Sequence, residues 1–382
     1  MSKPVLFRVT NNLDIGGVQK RLASLLPLLA QDFEVHVIVY RKKGILAKEL
    51  EEAGIRVHFL PIKSKTHLPS IIRMAKLFKK HNASIVHTHS LGANIPGIIA
   101  AALAKVPVRI AQVHRRDLHW YARSCIQRKK QILMEAWVHR LFTDKVLFVS
   151  KDSLDYFWKH TKLPGNKLQI LHNGFKFPTN PPSKREARKL HELPKNKKII
   201  GFVGRLSKGK GLDYFLDLAQ KALAEDSRLF FLIIGDGPGR KEKEQEIAAK
   251  GLTDNILFVG EQTDMDSWYP ALDLLLFTSE HWAEGMPGVV LEACSHGLPV
   301  LARYSQSIDE IETYYSNIFF IDENESACNC IKHALRETNP DTTVFKNEFD
   351  LKRMTGRTSE LYFSRLQKKS FGNKQKCSKE KC

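Results

Sequence analysis

Short runs of β-branched and aromatic residues alternate with stretches of helical periodicity along the first half of the chain. The runs Val5–Thr10, Glu34–Tyr40, Arg56–Leu60, Ser84–Thr88, Val108–Val113, Lys145–Val149 and Leu168–Leu171 read as strands. Between the first two, Val18–Gln31 carries Val18, Leu22, Leu25, Leu26 and Leu29 at helical spacing, directly after the pair Gly16–Gly17. Strands that alternate with helices predict an α/β fold with a doubly wound parallel sheet. The alternation then starts afresh at Ile199–Gly204 and continues through Arg228–Gly235, Ile256–Val259, Leu274–Thr278 and Pro299–Ala302. Two such units in tandem are expected.

The break between them falls where Asn173–Gly174, Pro178, Pro181 and Pro182 interrupt all periodicity, which reads as a linker and a plausible hinge. The expected organisation is an N-terminal domain over 1–173, a C-terminal domain over 174–345, and a C-terminal helix with a basic tail over 346–382. From Arg365 to Cys382 there are seven Lys or Arg against the single Glu380, so this stretch is expected to be solvated or disordered.

Length agrees with two domains, since 382 residues exceed one comfortable core. No window reaches the roughly 18 uninterrupted apolar residues of a transmembrane helix. Met1–Thr10 runs straight into a strand-like stretch, so a cytoplasmic protein without a signal peptide is expected. The six cysteines (Cys125, Cys294, Cys328, Cys330, Cys377, Cys382) have neither disulfide-framework density nor paired zinc-knuckle spacing. A net charge of +19 and a pI of about 9.6 imply an anionic partner, whether phosphate, nucleic acid or membrane. Charge alone does not choose among them.

The chemistry concentrates in two segments. In Glu284-Gly285-Met286-Pro287-Gly288-Val289-Val290-Leu291-Glu292, one carboxylate precedes a helix and a second stands eight residues on, inside it. Both can face one cleft, and the helix N-terminus between them favours a phosphate or another oxygen-rich ligand. Pro287 suits the first turn, where its missing N–H costs nothing. Two surface glutamates flanking a buried helix are the plainer alternative. The second segment, Gly204-Arg205-Leu206-Ser207-Lys208-Gly209-Lys210-Gly211, puts Arg205 and Lys210 on a glycine-containing loop between strand and helix. Arginine can grip two phosphate oxygens and lysine acts as a point charge, though the spacing is not that of a Walker A loop. A solvated basic turn remains the alternative.

Taken together, Gly16-Gly17 after the first strand, His172-Asn173-Gly174 at the junction, the Gly204–Gly211 loop, and Glu284 with Glu292 resemble the retaining GT-B glycosyltransferases of family 4. The order is that family's order, over roughly residues 5 to 340. The resemblance implies a GT-B fold of two Rossmann-like domains facing a cleft, the first binding acceptor and the second binding a nucleotide-sugar. It implies that Gly16 and Gly17 let backbone approach the donor diphosphate, that Gly204 is among the donor-binding residues, and that Arg205 and Lys210 neutralise the diphosphate. Glu292 would accept from the ribose hydroxyls, Glu284 would contact the transferred sugar or its phosphate, and the loop Gly285-Met286-Pro287-Gly288 would supply backbone donors from its non-proline residues. His114, after the strand Val108–Val113, aligns with a histidine placed beside the reacting sugar; His87 and His89 are weaker candidates. Met286 departs from the family pattern, which often has an aromatic residue there, and this bears on sugar choice.

The expected reaction is transfer of a sugar from a nucleoside diphosphate to a glycan or lipid-linked acceptor in surface polysaccharide, lipopolysaccharide or glycolipid synthesis. Retention of configuration is implied by the resemblance. No carboxylate pair of the glycosidase kind is apparent, so retention would go by front-face attack. No cofactor or metal is expected: cations and the helix dipole suit the leaving charge, and Asp264-Met265-Asp266 reads as a surface turn before an amphipathic helix. A phosphorylase or nucleotide-sugar epimerase on the same fold is the enzymatic alternative. A nucleic-acid-binding protein is disfavoured by the absence of its usual motifs. Finally, Arg109, Arg115, Arg116, Arg123, Arg128, Lys129, Lys130 and Arg140 are interleaved with Leu118, Trp120, Tyr121, Ile126, Ile132, Leu133 and Trp137. That pattern predicts docking on the cytoplasmic face of an anionic membrane, with a solvated or self-packed helix face as the alternative.

Overall fold

The computed structural model describes residues 2–14, 16–89, 91–117, 122–336 and 342–379, with 371–379 by backbone alone. The chain forms two compact units, one comprising Met1–Gly174 and Phe349–Cys382, the other Phe175–Glu348.

In the first unit, β1 (Val5–Asn12), β2 (Glu34–Lys42), β3 (Arg56–Phe59), β4 (Ile85–His89), β5 (Val108–Val113), β6 (Lys145–Phe148) and β7 (Leu168–Ile170) form one sheet. Their order is β3-β2-β1-β4-β5-β6-β7 and every pairing is parallel. Period-two alternation sends Leu6, Val37, Val39, Ile110 and Leu147 to one face, against the helix Gly17–Leu29. Phe7, Val9, Ile38 and Val86 go to the other, against the helices Leu68–Lys80 and Leu91–Leu103. Burial on both faces explains why these strands read as nearly continuous apolar runs.

The chain returns to this unit at its end. Helix Leu351–Lys379 places Leu351, Met354, Leu361 and Tyr362 in the same core as Gly17–Leu29. Fully burying such side chains contributes about 1.5–3 kcal/mol each. A Cβ at Gly174 would lie 2.8 Å from the Met354 Cβ and 2.9 Å from the Leu351 Cα, so only glycine admits this helix so close. The segment expected to stand apart over 346–382 therefore joins the first unit from Phe349. Its basic part, expected to be solvated or disordered, continues the helix through Lys379.

In the second unit, β8 (Lys198–Val203), β9 (Leu229–Ile234), β10 (Ile256–Gly260), β11 (Leu274–Phe277), β12 (Val300–Ala302) and β13 (Ile318–Phe320) lie in the order β10-β9-β8-β11-β12-β13, again all parallel. Strand β13 has no counterpart in the sequence reading. It is a three-residue edge strand, too short for alternation to show. The amphipathic helix expected after Asp266 is also absent. One turn, Met265–Trp268, passes into a 3₁₀ turn at Tyr269–Ala271 because Pro270 cannot continue an α-helix.

Both sheets wind outward from a first strand whose two neighbours are the second and the fourth. In such sheets ligands bind beyond the carboxyl ends of the strands where the order reverses. Those points are the β1/β4 and β8/β11 junctions.

Candidate functional site

At the β8/β11 junction the chain leaves β8 through Gly204–Gly211 and enters the helix Leu212–Glu225. Gly211 caps that helix at φ 76°, and a Cβ on it would collide with the Thr278 carbonyl oxygen. Both its left-handed backbone and its close approach demand glycine. The Thr278 hydroxyl donates to the Gly211 carbonyl at 2.9 Å, and the Glu280 N–H donates to the Gly209 carbonyl at 2.8 Å. These bonds tie the cationic loop to the segment after β11 that carries Glu284.

The Lys210 ammonium donates to the Glu284 carboxylate, with both side chains partly exposed. Arg205 is exposed, and among the described residues its guanidinium has no protein partner. Five donors are therefore unspent on a rigid loop.

The loop Gly285-Met286-Pro287 is buried and leads into the helix Gly288–Ser295. Pro287 stands at the N-cap, one residue outside the first turn where it was expected, and offers its carbonyl to the Leu291 N–H at 3.3 Å. No side chain caps this helix and no acidic residue occupies its first turn. Its leading N–H groups and positive dipole end are thus open to an anion. Glu292, within the helix, accepts from the Tyr269 hydroxyl at 2.9 Å. Burial and the neighbouring Glu292 push the Tyr269 phenol up, which keeps it a donor. Lys210, Thr278 and Val289 line a small pocket at this junction.

Two contributions escaped the sequence reading. Tyr269 orients Glu292, yet nothing in a Trp-Tyr-Pro run announces a partner twenty-three residues away. The turn Gly235-Asp236-Gly237 supports the cationic loop: the Leu206 N–H donates to the Asp236 carbonyl at 2.8 Å, and a Cβ on Gly235 would collide with the Gly204 carbonyl. Three glycines in five residues after a strand were the available signal.

Gly16, Gly17 and His114 belong to the first unit, at the β1/β4 junction. Gly16 caps the helix Gly17–Leu29 with extended backbone and no side-chain cap. A Cβ on Gly17 would lie 3.4 Å from an Arg21 guanidinium nitrogen. Arg21 lines a pocket with His114, His89, His87, Arg8 and His172. His114 shares a hydrogen bond with His89 at 2.9 Å, and the His89 ring stacks on His87 with centroids 4.7 Å apart. His87 bonds the Tyr362 hydroxyl at 2.6 Å, and Arg8 donates to both His87 and Tyr362. Burial, then Arg21 and Arg8, push the His114 pKa down to about 3, while burial and Arg8 hold His87 and His89 well below the usual histidine value. At neutral pH these imidazoles are uncharged and suited to bonding hydroxyls, not to carrying charge.

Asp264 and Asp266 are exposed, as a surface turn requires, and Asp266 approaches His296 at 3.3 Å. Cys125, Cys294, Cys328 and Cys330 are free thiols; Cys382 lies outside the described residues, as do Leu118, Trp120 and Tyr121 of the basic aromatic segment, and Cys377 is described by backbone alone.

Two family models match the chain, Glycosyltransferase Family 4 over residues 15–176 and Glycosyl transferases group 1 over residues 183–346. The chain is 26% identical over 370 residues to the capsular polysaccharide biosynthesis glycosyltransferase CapH of Staphylococcus aureus, covering 94% of this chain and 99% of that one. It is 28% identical over 303 residues to the Escherichia coli UDP-Gal:alpha-D-GlcNAc-diphosphoundecaprenol alpha-1,3-galactosyltransferase, covering 75% and 76%. Its fold is that of Anabaena HepE, solved in complex with UDP, with a TM-score of 0.77 at 19% identity over 94% of this chain and 100% of that one.

The histidine environment yields a pH prediction. A histidine whose native pKa is depressed binds fewer protons folded than unfolded, so it costs stability as pH falls from about 6.5, the unfolded value, toward the native one. For His114 that window runs down to about 3. Replacing His114 with Gln should flatten the slope of unfolding free energy against pH by about 1.4 kcal/mol per pH unit between about pH 6 and 4. Denaturant titrations across this range would measure it. An unchanged slope would mean that His114 titrates normally.

Proposed function

The chain belongs to the group 1 and family 4 glycosyltransferases, and on that premise we propose that its second unit holds the diphosphate of a nucleotide-sugar through Arg205, Lys210 and the N-terminus of helix Gly288–Ser295. The observation that carries this reading is the Arg205 guanidinium, unpartnered among the described residues, on the same loop as a lysine tied to Glu284, in a unit whose neighbouring helix start is uncapped. A diphosphate competes with Glu284 for Lys210. Its arrival frees that carboxylate for the hydroxyls of the transferred sugar. Glu292, fixed by Tyr269, takes the ribose hydroxyls. HepE has been solved with UDP and with UDP-glucose, which makes uridine donors the first to try.

As the bond between sugar and phosphate breaks, charge grows on the leaving diphosphate and the cations stabilise it increasingly. In the first unit, His114 and its neutral partners are suited to bonding sugar hydroxyls. The acceptor hydroxyl attacks from the face the diphosphate leaves and passes its proton to the departing phosphate oxygen, with retention. No metal or other cofactor takes part in this scheme. The product belongs to surface polysaccharide synthesis, the role named for the capsular and O-antigen relatives; a diphospholipid-linked acceptor follows the Escherichia coli relative.

The first unit is suited to an anionic membrane on which such an acceptor resides. Helix Cys125–Phe142 buries Glu135, Val138 and His139 but exposes Ile126 (68%), Leu133 (68%), Trp137 (56%) and Leu141 (54%) along a single face. Lys129, Lys130 and Arg140 are exposed beside that stripe. Apolar side chains flanked by cations match the headgroup boundary. Among the described residues no helix is long and apolar enough to cross a membrane.

Arg205→Ala and Lys210→Ala should each lower transfer by about a hundredfold, the scale of losing one preorganised transition-state donor. Donor KM should move less. Glu292→Ala and Tyr269→Phe should act mainly on KM, since a ribose contact persists unchanged through the reaction. Release of nucleoside diphosphate from a donor panel with detergent-dispersed acceptor measures this, and near-normal transfer by both cation variants in folded protein would refute the clamp. For docking, vesicles rich in anionic lipid should retain the protein at physiological salt more than neutral ones, and Trp137→Ser should weaken retention. Equal retention on both vesicles would remove the membrane from the account.

A further inference from the structure

At the amino ends of the first sheet's strands, opposite the loops that carry Gly16 and His114, three histidines converge. His36 lies on β2, His58 on β3, and His81 caps the carboxyl end of the helix Leu68–Lys80. The register places Ile38 opposite His58 and His36 opposite Arg56. One nitrogen of each imidazole then lies within 4.8 Å of the other two.

The contacts within the cluster fix which nitrogen is available. His36 Nε2 is 3.1 Å from a Glu34 carboxylate oxygen, and His36 Nδ1 is 3.1 Å from His58 Nε2. The Glu34 carboxylate, ionised at neutral pH, can only accept. The proton of neutral His36 is therefore on Nε2, and its Nδ1 lone pair faces His58. A carboxylate that holds one imidazole nitrogen while the other is turned toward a common centre is the arrangement that orients metal-ligating histidines. In a tetrahedral site with metal–nitrogen bonds of about 2.0–2.1 Å, neighbouring ligand nitrogens stand about 3.3 Å apart. The His36–His58 separation is close to this.

We propose that His36, His58 and His81 bind a divalent transition metal of the zinc class, with a water completing the tetrahedron. Imidazole donors without thiolate or a carboxylate cage favour zinc over calcium or magnesium. His36 is buried while His58 and His81 are partly exposed, which leaves an approach from solvent. The negative end of the helix Leu68–Lys80, where His81 sits, favours a cation. Arg56, paired with Glu34 at 3.2 Å, and Lys80 oppose it. The bound ion ties β2, β3 and that helix together as a structural clamp, with no part in sugar transfer.

The test uses the full chain stripped with chelator, then dialysed against zinc and, separately, cobalt. The expected result is one ion per chain and a cobalt visible spectrum of tetrahedral nitrogen coordination. Melting should rise by about 5 °C at zinc well above its dissociation constant. His58→Gln and His81→Gln, both at partly exposed positions, should each lose the ion and the rise while circular dichroism and transferase turnover stay normal. No uptake by the wild type would overturn the proposal. So would full uptake by the double variant, or a sulfur-to-cobalt charge-transfer band, either of which assigns the metal elsewhere.

Discussion

The second unit depends on the place where the backbone at Gly211 meets the carbonyl of Thr278. No side chain fits between them, so the loop after β8 and the segment after β11 are held at backbone distance. From that approach follow the Lys210–Glu284 pair, the fixed exit of Arg205, and the delivery of the buried turn into helix Gly288–Ser295. A side chain at residue 211 would force the loops apart and spread the cations. The turn at Gly235 repeats the device from the other side, against Gly204. Charge is thus positioned by backbone packing, which reorganises little during a reaction and suits electrostatic catalysis.

The two units wind alike and are lined differently. Where the second presents cations and a bare helix start, the first presents a chain of neutral imidazoles from His114 through His89 to His87, backed by Arg8. Arg8 is buried, and among the described residues no carboxylate balances it. Burial and the Arg8 cation depress His87, His89 and His114, because both desolvation and like charge disfavour protonation. The first unit therefore presents uncharged imidazoles beside a buried cation, and the second a cationic loop and an open helix start.

The parallel strands were legible because burial on both faces leaves uninterrupted apolar runs, and the glycine-bearing turns were legible because they follow those runs directly. Arg205, Lys210, Glu284 and Glu292, the residues of the proposed site, were read from local spacing around one strand–loop–helix unit each. Tyr269, Arg8 and Tyr362 could not. Arg8 and Tyr362 are 354 positions apart and meet only because the last helix returns to the first core. That return was itself hidden, since a helix ending in a run of lysines reads as a tail while its apolar stripe lies earlier, at Leu351, Met354 and Leu361. Pro287 marked the right boundary and missed it by one residue, as a proline restricts the helix start without fixing its position.

The central claim is that the cations of the Gly204–Gly211 loop receive a diphosphate while the imidazoles of the first unit do not. Titration calorimetry with free UDP in metal-free buffer, on wild type, Arg205→Ala, Lys210→Ala and His114→Ala, tests it most directly. Both cation variants should bind about tenfold or more weakly, the loss expected of a charge-assisted contact, and the wild-type affinity should fall as salt rises. His114→Ala should bind UDP like wild type. Unchanged binding in the two cation variants, or a selective loss in His114→Ala, would contradict the account.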